Sequence, residues 1–397
     1  MKNKYMPTAI GLYINYFVHG MGVLIITLNM TSLSEQWGTD KAGVAVVISS
    51  LGIGRLLVLF VSGWLSDKFG RKPFVYLGMA AYLAFFIGIL FSPTIAVAYI
   101  FGILAGIANS FLDSGTYPAL MESFPKSPGT ANVIIKAFIS GGQFALPLII
   151  GVLAATGAWY GWSFIVAIVI LGANALYLMK RPFPNHKQSA DDAAAADVPQ
   201  TEFKQKPKFM VEGICFILYG YIAQATFYLV SQWLAQYGES VAGMSRGSSL
   251  SLVSIYTIGS LSCVFLTSAL VKKMVRPVYF LVLYTFISMV ALLAVYLFPT
   301  PVMCFIFAFV IGFSAAGGVL QLGLTIMAEL FPGGKGTVTG IFYTAGSIAS
   351  FTIPLITGQM SKTSIANIML FDFFIAAAGF LIALIIFYRY RKVVKVN

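Results

Sequence analysis

The stretch ESFPKSPGTANVIIKAFISGGQFALPLIIG, residues 122–151, returns 207 positions later as ELFPGGKGTVTGIFYTAGSIASFTIPLITG, residues 329–358, with 12 identities in 30. Glu122, Phe124, Pro125, Gly129 and Thr130 align with Glu329, Phe331, Pro332, Gly336 and Thr337. Pro147, Leu148, Ile149 and Gly151 align with Pro354, Leu355, Ile356 and Gly358. Each copy carries the end of one long apolar run through a short polar turn into the next. The chain therefore reads as two like halves.

Around the two copies the apolar runs continue in both directions. Crossing a bilayer takes about 20 residues at about 1.5 Å per residue. Runs of that order lie at 8–30, 42–65, 74–92, 95–121, 131–157, 162–179, 209–236, 249–270, 277–298, 302–328, 336–358 and 367–388. These twelve spans are apolar throughout and do not alternate apolar with polar, so they read as helices and not as barrel strands. The first has no small-residue cleavage site and is expected to be retained. The composition agrees: 59% of the 397 residues are hydrophobic, 10% are charged, and mean hydropathy is +0.88. So few charges cannot cover a water-soluble surface.

The net charge of +12 is a topology signal. With both termini placed in the cytoplasm, the inner segments hold 20 of the 25 Lys and Arg residues, whereas the outer loops hold Lys41, Arg246 and Lys362. That is the positive-inside pattern of a multi-pass membrane protein, and it argues against nucleic acid as a partner. Residues 181–208, RPFPNHK onward, are rich in Ala, Pro and charge and read as a cytoplasmic linker. It separates a six-helix bundle at 1–180 from a second at 209–397.

Cys215, Cys263 and Cys304 fall in apolar runs with no CxxC pair and no neighbouring histidine, which leaves no metal site. The chain has two histidines, His19 and His186, the latter in the linker, and no nucleophile motif or phosphate loop. No enzyme activity and no cofactor are expected.

Between the second and third runs lies Gly63-Trp64-Leu65-Ser66-Asp67-Lys68-Phe69-Gly70-Arg71-Lys72. It resembles the GxLaDrxGRK loop motif of the major facilitator superfamily. Gly63 is expected to permit close helix packing, Gly70 to supply a turn other residues would strain, and Asp67 to sit against a helix N-terminus or Arg71. The resemblance implies an all-α fold of two pseudo-symmetric six-helix bundles, with Gly63, Asp67, Gly70 and Arg71 as a conformational latch. The corresponding loop, Val271 to Pro277, keeps its basic residues but lacks the acid and the glycine, so a latch should be one-sided. The segments 109–126, 270–277 and 311–323 resemble the YdiM/YdiN group of bacterial inner-membrane transporters, which implies transport without naming a substrate. The fifth span lacks the Gly-Pro-Gly-Gly pattern typical of drug/proton antiporters.

An ionised side chain at mid-membrane costs about 2.5–3.5 kcal/mol, so such residues are functional candidates. Arg55, Asp113 and Lys136 qualify, at similar depths from the cytoplasmic helix ends. Asp113 shares a face with Gly102, Gly106, Asn109 and Tyr117, a side that should meet a cavity or a neighbouring helix. Desolvation pulls such a carboxyl toward its neutral form and nearby cations pull it toward the charged form, so alternating access would change both. Asp113 is the proton-carrier candidate, set against a permanent ion pair with Arg55 or Lys136. The segment Asp113 to Pro118 also resembles the helix-four acid segment of fucose/proton symporters. His19 is a candidate relay, set against a neutral, hydrogen-bonded ring.

Arg55 can grip a carboxylate bidentately. Lys136, followed at helical spacing by Ser140 and Gln143, offers a second counter-ion. In the second half Tyr221, Gln224, Tyr228 and Gln232, then Ser314, Gly318, Gln321 and Thr325, make faces of neutral donors that suit hydroxyls. Gly317 and Gly318 are alternatively packing residues. Asp372 and Glu212 are placed near helix ends within reach of water, and Glu122 and Glu329 as gates or caps. Together these residues point to a monomeric transporter in a lipid bilayer, coupling protons to uptake of a small hydroxylated organic anion such as a shikimate- or quinate-like acid. A neutral-sugar symporter, an exporter of amphipathic compounds and a non-transporting scaffold are the rival readings.

Overall fold

The computed structural model describes residues 4–124, 128–184, 203–272, 275–331 and 335–395. The middle of the linker with His186, and positions Pro125 and Pro332 of the repeat, lie outside the described residues.

The first unit holds α1 (Met6–Leu28), α2 (Met30–Trp37), α3 (Lys41–Phe69), α4 (Arg71–Phe91), α5 (Ile95–Ser123), α6 (Pro128–Thr156) and α7 (Trp162–Met179). A π-type turn, Phe209–Gly213, leads into the second, which holds α8 (Ile214–Ser240), α9 (Arg246–Lys272), α10 (Pro277–Leu297), α11 (Pro301–Ile311), α12 (Val319–Leu330), α13 (Lys335–Ser361) and α14 (Ile365–Val393). The units are Met1–Val198 and Pro199–Asn397. Twelve segments are long and apolar enough to cross a membrane, as the apolar runs predict, and the described residues contain no β-strand beyond an isolated bridge between Phe203 and Val394. Apolar side chains such as Phe60, Phe91, Ile100, Leu176 and Phe374 are more than half exposed and suit hydrocarbon surroundings.

Lipid tails are as apolar as leucine, so helix association depends on close packing and hydrogen bonds. In the first unit α3 and α5 cross through glycines. A Cβ on Gly54 would lie 2.0 Å from the Ile103 carbonyl oxygen, and one on Gly106 2.0 Å from that of Leu51. The second unit repeats the crossing between α9 and α11, where Gly259 abuts the Phe309 carbonyl and Gly312 that of Tyr256. The small-residue face predicted on α5 thus meets a neighbouring helix over Gly102 and Gly106.

The structure corrects several expectations. The run 302–328 is not one continuous helix. It breaks into α11, a π-type turn at Gly312–Ala316, and α12, with Gly318 at φ 121°. Gly318 has open space around it and is there for its backbone angle, while Gly317 is the packing residue, against Cys263. Ser314 is fully buried and hydrogen-bonds Ser288 Oγ at 2.9 Å, so it faces the interior of its own unit. A Cβ on Gly63 would meet nothing within 4 Å, so close packing is not its role within the first unit. Gly70, at φ 90° and ψ 167°, occupies a region open essentially to glycine alone. Gly70→Ala is therefore expected to cost about 1–3 kcal/mol, while Gly63→Ala stays within about 0.5 kcal/mol of wild type. Thermal unfolding of the two variants in detergent compares them directly.

Glu212 and Asp372 are not water-accessible. Glu212 is 2% exposed and accepts from Arg389 Nε at 2.8 Å and Nη2 at 2.5 Å, which ties the start of the second unit to its last helix. Asp372 is fully buried. A place near a helix end in sequence says nothing about what packs over it.

Candidate functional site

Three helices converge on Asp113. It lies on α5 one turn beyond Asn109 and just past the glycine crossing that brings α3 alongside. The crossing places Arg55, the residue after Gly54, opposite the carboxyl. Arg55 Nη2 lies 3.2 Å from Asp113 Oδ2. From α1, Tyr16 donates its hydroxyl to Asp113 Oδ1 at 2.6 Å. Asn109, with its amide nitrogen toward Asp113 at 3.3 Å, accepts from Arg55 Nη1 at 2.8 Å. Arg55 and Asp113 remain 23% and 21% exposed. The pair is thus held by neutral hydrogen bonds and is only partly covered within the first unit.

Beside this pair lies an aromatic group. Tyr16 meets the rings of His19 and Tyr117 edge-on, and His19 Nδ1 is hydrogen-bonded to the Tyr82 hydroxyl on α4. His19 is 8% exposed. Lys136, half-buried on α6, lies within electrostatic range of His19. Ser140 and Gln143, one and two turns further along α6, are buried. Counting along the helices placed Asp113 and Arg55 where they could meet, and they do. Tyr16 and Tyr82 went unnoticed, although the i, i+3 spacing of Tyr16 and His19 on α1 was the available signal.

The loop at 63–72 forms a network within the first unit. Arg71 Nη1 donates to Asp67 Oδ1 at 2.6 Å and to Ser66 Oγ at 3.1 Å, and Arg71 Nε donates to Glu122 Oε1 at 3.1 Å. Arg71 and Glu122 are 10% and 8% exposed, whereas Asp67 is 71% exposed. Glu122, read from sequence as a gate or cap, is the buried anchor of the arginine. In the second unit the repeat-equivalent Glu329 accepts from the Tyr390 hydroxyl at 2.8 Å, and Arg276 Nη1 reaches that hydroxyl at 3.3 Å. The second loop thus has a link between Arg276 and Glu329 through a tyrosine.

The neutral residues of the second unit divide. Gln321 on α12 is exposed and exchanges hydrogen bonds with Tyr343 at 3.1 and 3.3 Å. Gln224 and Tyr228 on α8 are half-buried, with Gln224 against Gly346 of α13, and Tyr221 hydrogen-bonds Thr352 at 2.8 Å. Gln232 is 2% exposed and Thr325 is exposed. Next to Gly259, where the first unit has Arg55 beside Gly54, stands Ser260. No group of three or more His, Cys, Asp or Glu residues that could hold a metal is found among the described residues.

Comparison with known proteins agrees with this architecture. The profile of the Major Facilitator Superfamily matches residues 12–354. The inner membrane transport protein YdiM of Escherichia coli (strain K12) is 59% identical over 392 residues, which cover 99% of this chain and 96% of that protein. The inner membrane transport protein YdiN of the same strain is 41% identical over 382 residues, covering 96% of this chain and 90% of its own length. Among solved structures, a D-xylose-proton symporter superposes with a TM-score of 0.78 at 14% identity, over 96% of this chain and 97% of that one.

Proposed function

Because the chain belongs to the Major Facilitator Superfamily and is a membrane transporter rather than an enzyme, we propose that it couples proton movement to uptake of a small hydroxylated organic anion across the bacterial inner membrane, as a monomer with both termini in the cytoplasm. The observation that carries this reading is the Arg55–Asp113 pair, held by Tyr16 and Asn109 yet about one-fifth exposed on each side chain.

While Asp113 is ionised, it occupies the guanidinium. Protonation removes that claim and lets the Arg55 guanidinium take a substrate carboxylate, for which its planar fork is suited. One proton and one carboxylate then enter the site together, and its net charge is unchanged. That exchange avoids the cost of an added uncompensated charge in a poorly hydrated site. Tyr117, Lys136 and Gln143 supply further donors near the carboxylate, and His19 with Tyr82 a route for the proton. Gln224, Tyr228 and Gln321 supply neutral groups for hydroxyls. Asp67, Gly70 and Arg71 act on the conformational change and not on the substrate. The inner-membrane location follows the two Escherichia coli relatives, and proton coupling is supported by the proton symporter of like fold.

The test is thermal stabilisation of purified protein by hydroxy acids, sugars and amphipathic drugs, followed by uptake into proteoliposomes. A hydroxy acid at about a hundredfold its Kd should stabilise wild type by about 2.7 kcal/mol. Arg55→Ala should lose that stabilisation. Asp113→Asn should bind the acid but no longer accumulate it when the outside is acidified. Stabilisation by neutral sugars alone, or by drugs alone, would replace the organic-anion reading with one of its rivals.

A further inference from the structure

Asp372 has no part in the exchange described above. It lies on α14, seven residues beyond Ile365, about 10 Å along the helix. It is fully buried, and no salt bridge among the described residues includes it. Its two carboxyl oxygens and the hydroxyl oxygen of Tyr256 are each enclosed without a hydrogen-bond partner at normal geometry. Thr226 of α8 and Tyr256 of α9 are its polar neighbours.

Thr226 also lines a cavity with room for a water molecule, whose walls are mainly apolar, from residues such as Ile222, Ala315 and Val319, with Tyr219, Thr285 and Ser288 adding polar groups. Among the described residues of the second unit, no helix places a Lys or Arg in an ion pair with Asp372. Within α8 the charged residue is Glu239, and α9 is charged at its ends, Arg246 and Lys272. α10 has no charged residue, α13 begins with its one charge at Lys335, and the basic residues of α14 begin at Arg389. The titratable groups on this side are Tyr256 and Tyr219.

An ionised carboxylate enclosed without a cation is far costlier than a neutral carboxyl, which can donate to a hydroxyl. We propose that Asp372 is a second proton-binding site, housed in the C-terminal unit and separate from the Arg55–Asp113 pair, taking up and releasing a proton by way of the Thr226 hydroxyl and the small cavity that Thr226 lines. The site stands whether or not the first unit binds an organic anion.

Infrared difference spectroscopy of the purified full-length protein, unlabelled and with 13C-aspartate, tests it. A protonated-aspartate C=O band should be present at low pH, fade as pH rises, and be lost in Asp372→Asn while persisting in Asp113→Asn. Tyr256→Phe, which removes one hydroxyl, should shift the same band without abolishing it, and serves in place of Asp372→Asn if that variant does not fold. A Tyr256-sensitive band that keeps its full intensity at every pH at which the protein stays folded would overturn the proposal in favour of a permanently neutral structural acid. Absence of any Tyr256-sensitive band at every pH would overturn it in favour of a permanently charged one.

Discussion

Arg55→Ala destabilises the folded protein by about 2–3 kcal/mol, and Asp113→Asn in the same chain restores most of the loss. Removing one partner of a buried pair costs about 3–5 kcal/mol because the other charge is left enclosed. The cost here falls at or just below the lower end of that range, since Asp113 is 21% exposed and keeps its hydrogen bond from Tyr16. The pH dependence has a definite sign. Acid protonates the orphaned carboxyl, so the deficit of Arg55→Ala relative to wild type shrinks as pH falls, whereas the double variant shows no such trend. Thermal unfolding of wild type, both single variants and the double variant over a pH series closes the cycle. Additive losses, with no recovery in the double variant, would mean that the pair is energetically idle.

Gly106→Ala has the second large effect. The added Cβ would fall 2.0 Å from the Leu51 carbonyl oxygen and 2.5 Å from the Arg55 backbone nitrogen. Ordinary contact between such atoms needs about 3.5 Å, so α3 must move away by roughly 1 Å or more. Both obstacles are backbone, and no side chain can rotate out of the way. Overpacking of this kind costs about 1–3 kcal/mol, and the top of that range is expected here. The same displacement carries Arg55 away from Asp113, so Gly106→Ala should also weaken the coupling measured in the cycle above. A melting temperature within a degree or so of wild type would show that the crossing tolerates a methyl group.

The fold was legible because bilayer thickness imposes its length on every span, and because duplication left twelve matching residues around Glu122 and Glu329. Depth along a helix was legible too, since it follows from counting residues, and Arg55 and Asp113 do meet. Direction around the helix was not. Nothing in a linear count says that Tyr16 points at Asp113, that Ser314 turns inward to Ser288, or that α8, α9 and α14 close over Asp372. Apolar runs also conceal interruptions. Residues 302–328 read as continuous because hydropathy is blind to backbone angle, and the Gly317-Gly318 pair was the sole hint of a break. Gly63 shows the converse error, a motif glycine credited with a packing role that its surroundings within the first unit do not support.

The interruption between α11 and α12 has a mechanical meaning. Inside hydrocarbon a straight helix resists bending because each distorted turn strands amide and carbonyl groups that no solvent can satisfy. Between Gly312 and Gly318 the regular ladder has already been given up. Flexure concentrated there would disturb a segment that already lacks the regular α-helical ladder, and would carry with it α12, on which Gln321 and Thr325 are exposed. Along the span from α11 to α12, bending is therefore easiest at this joint.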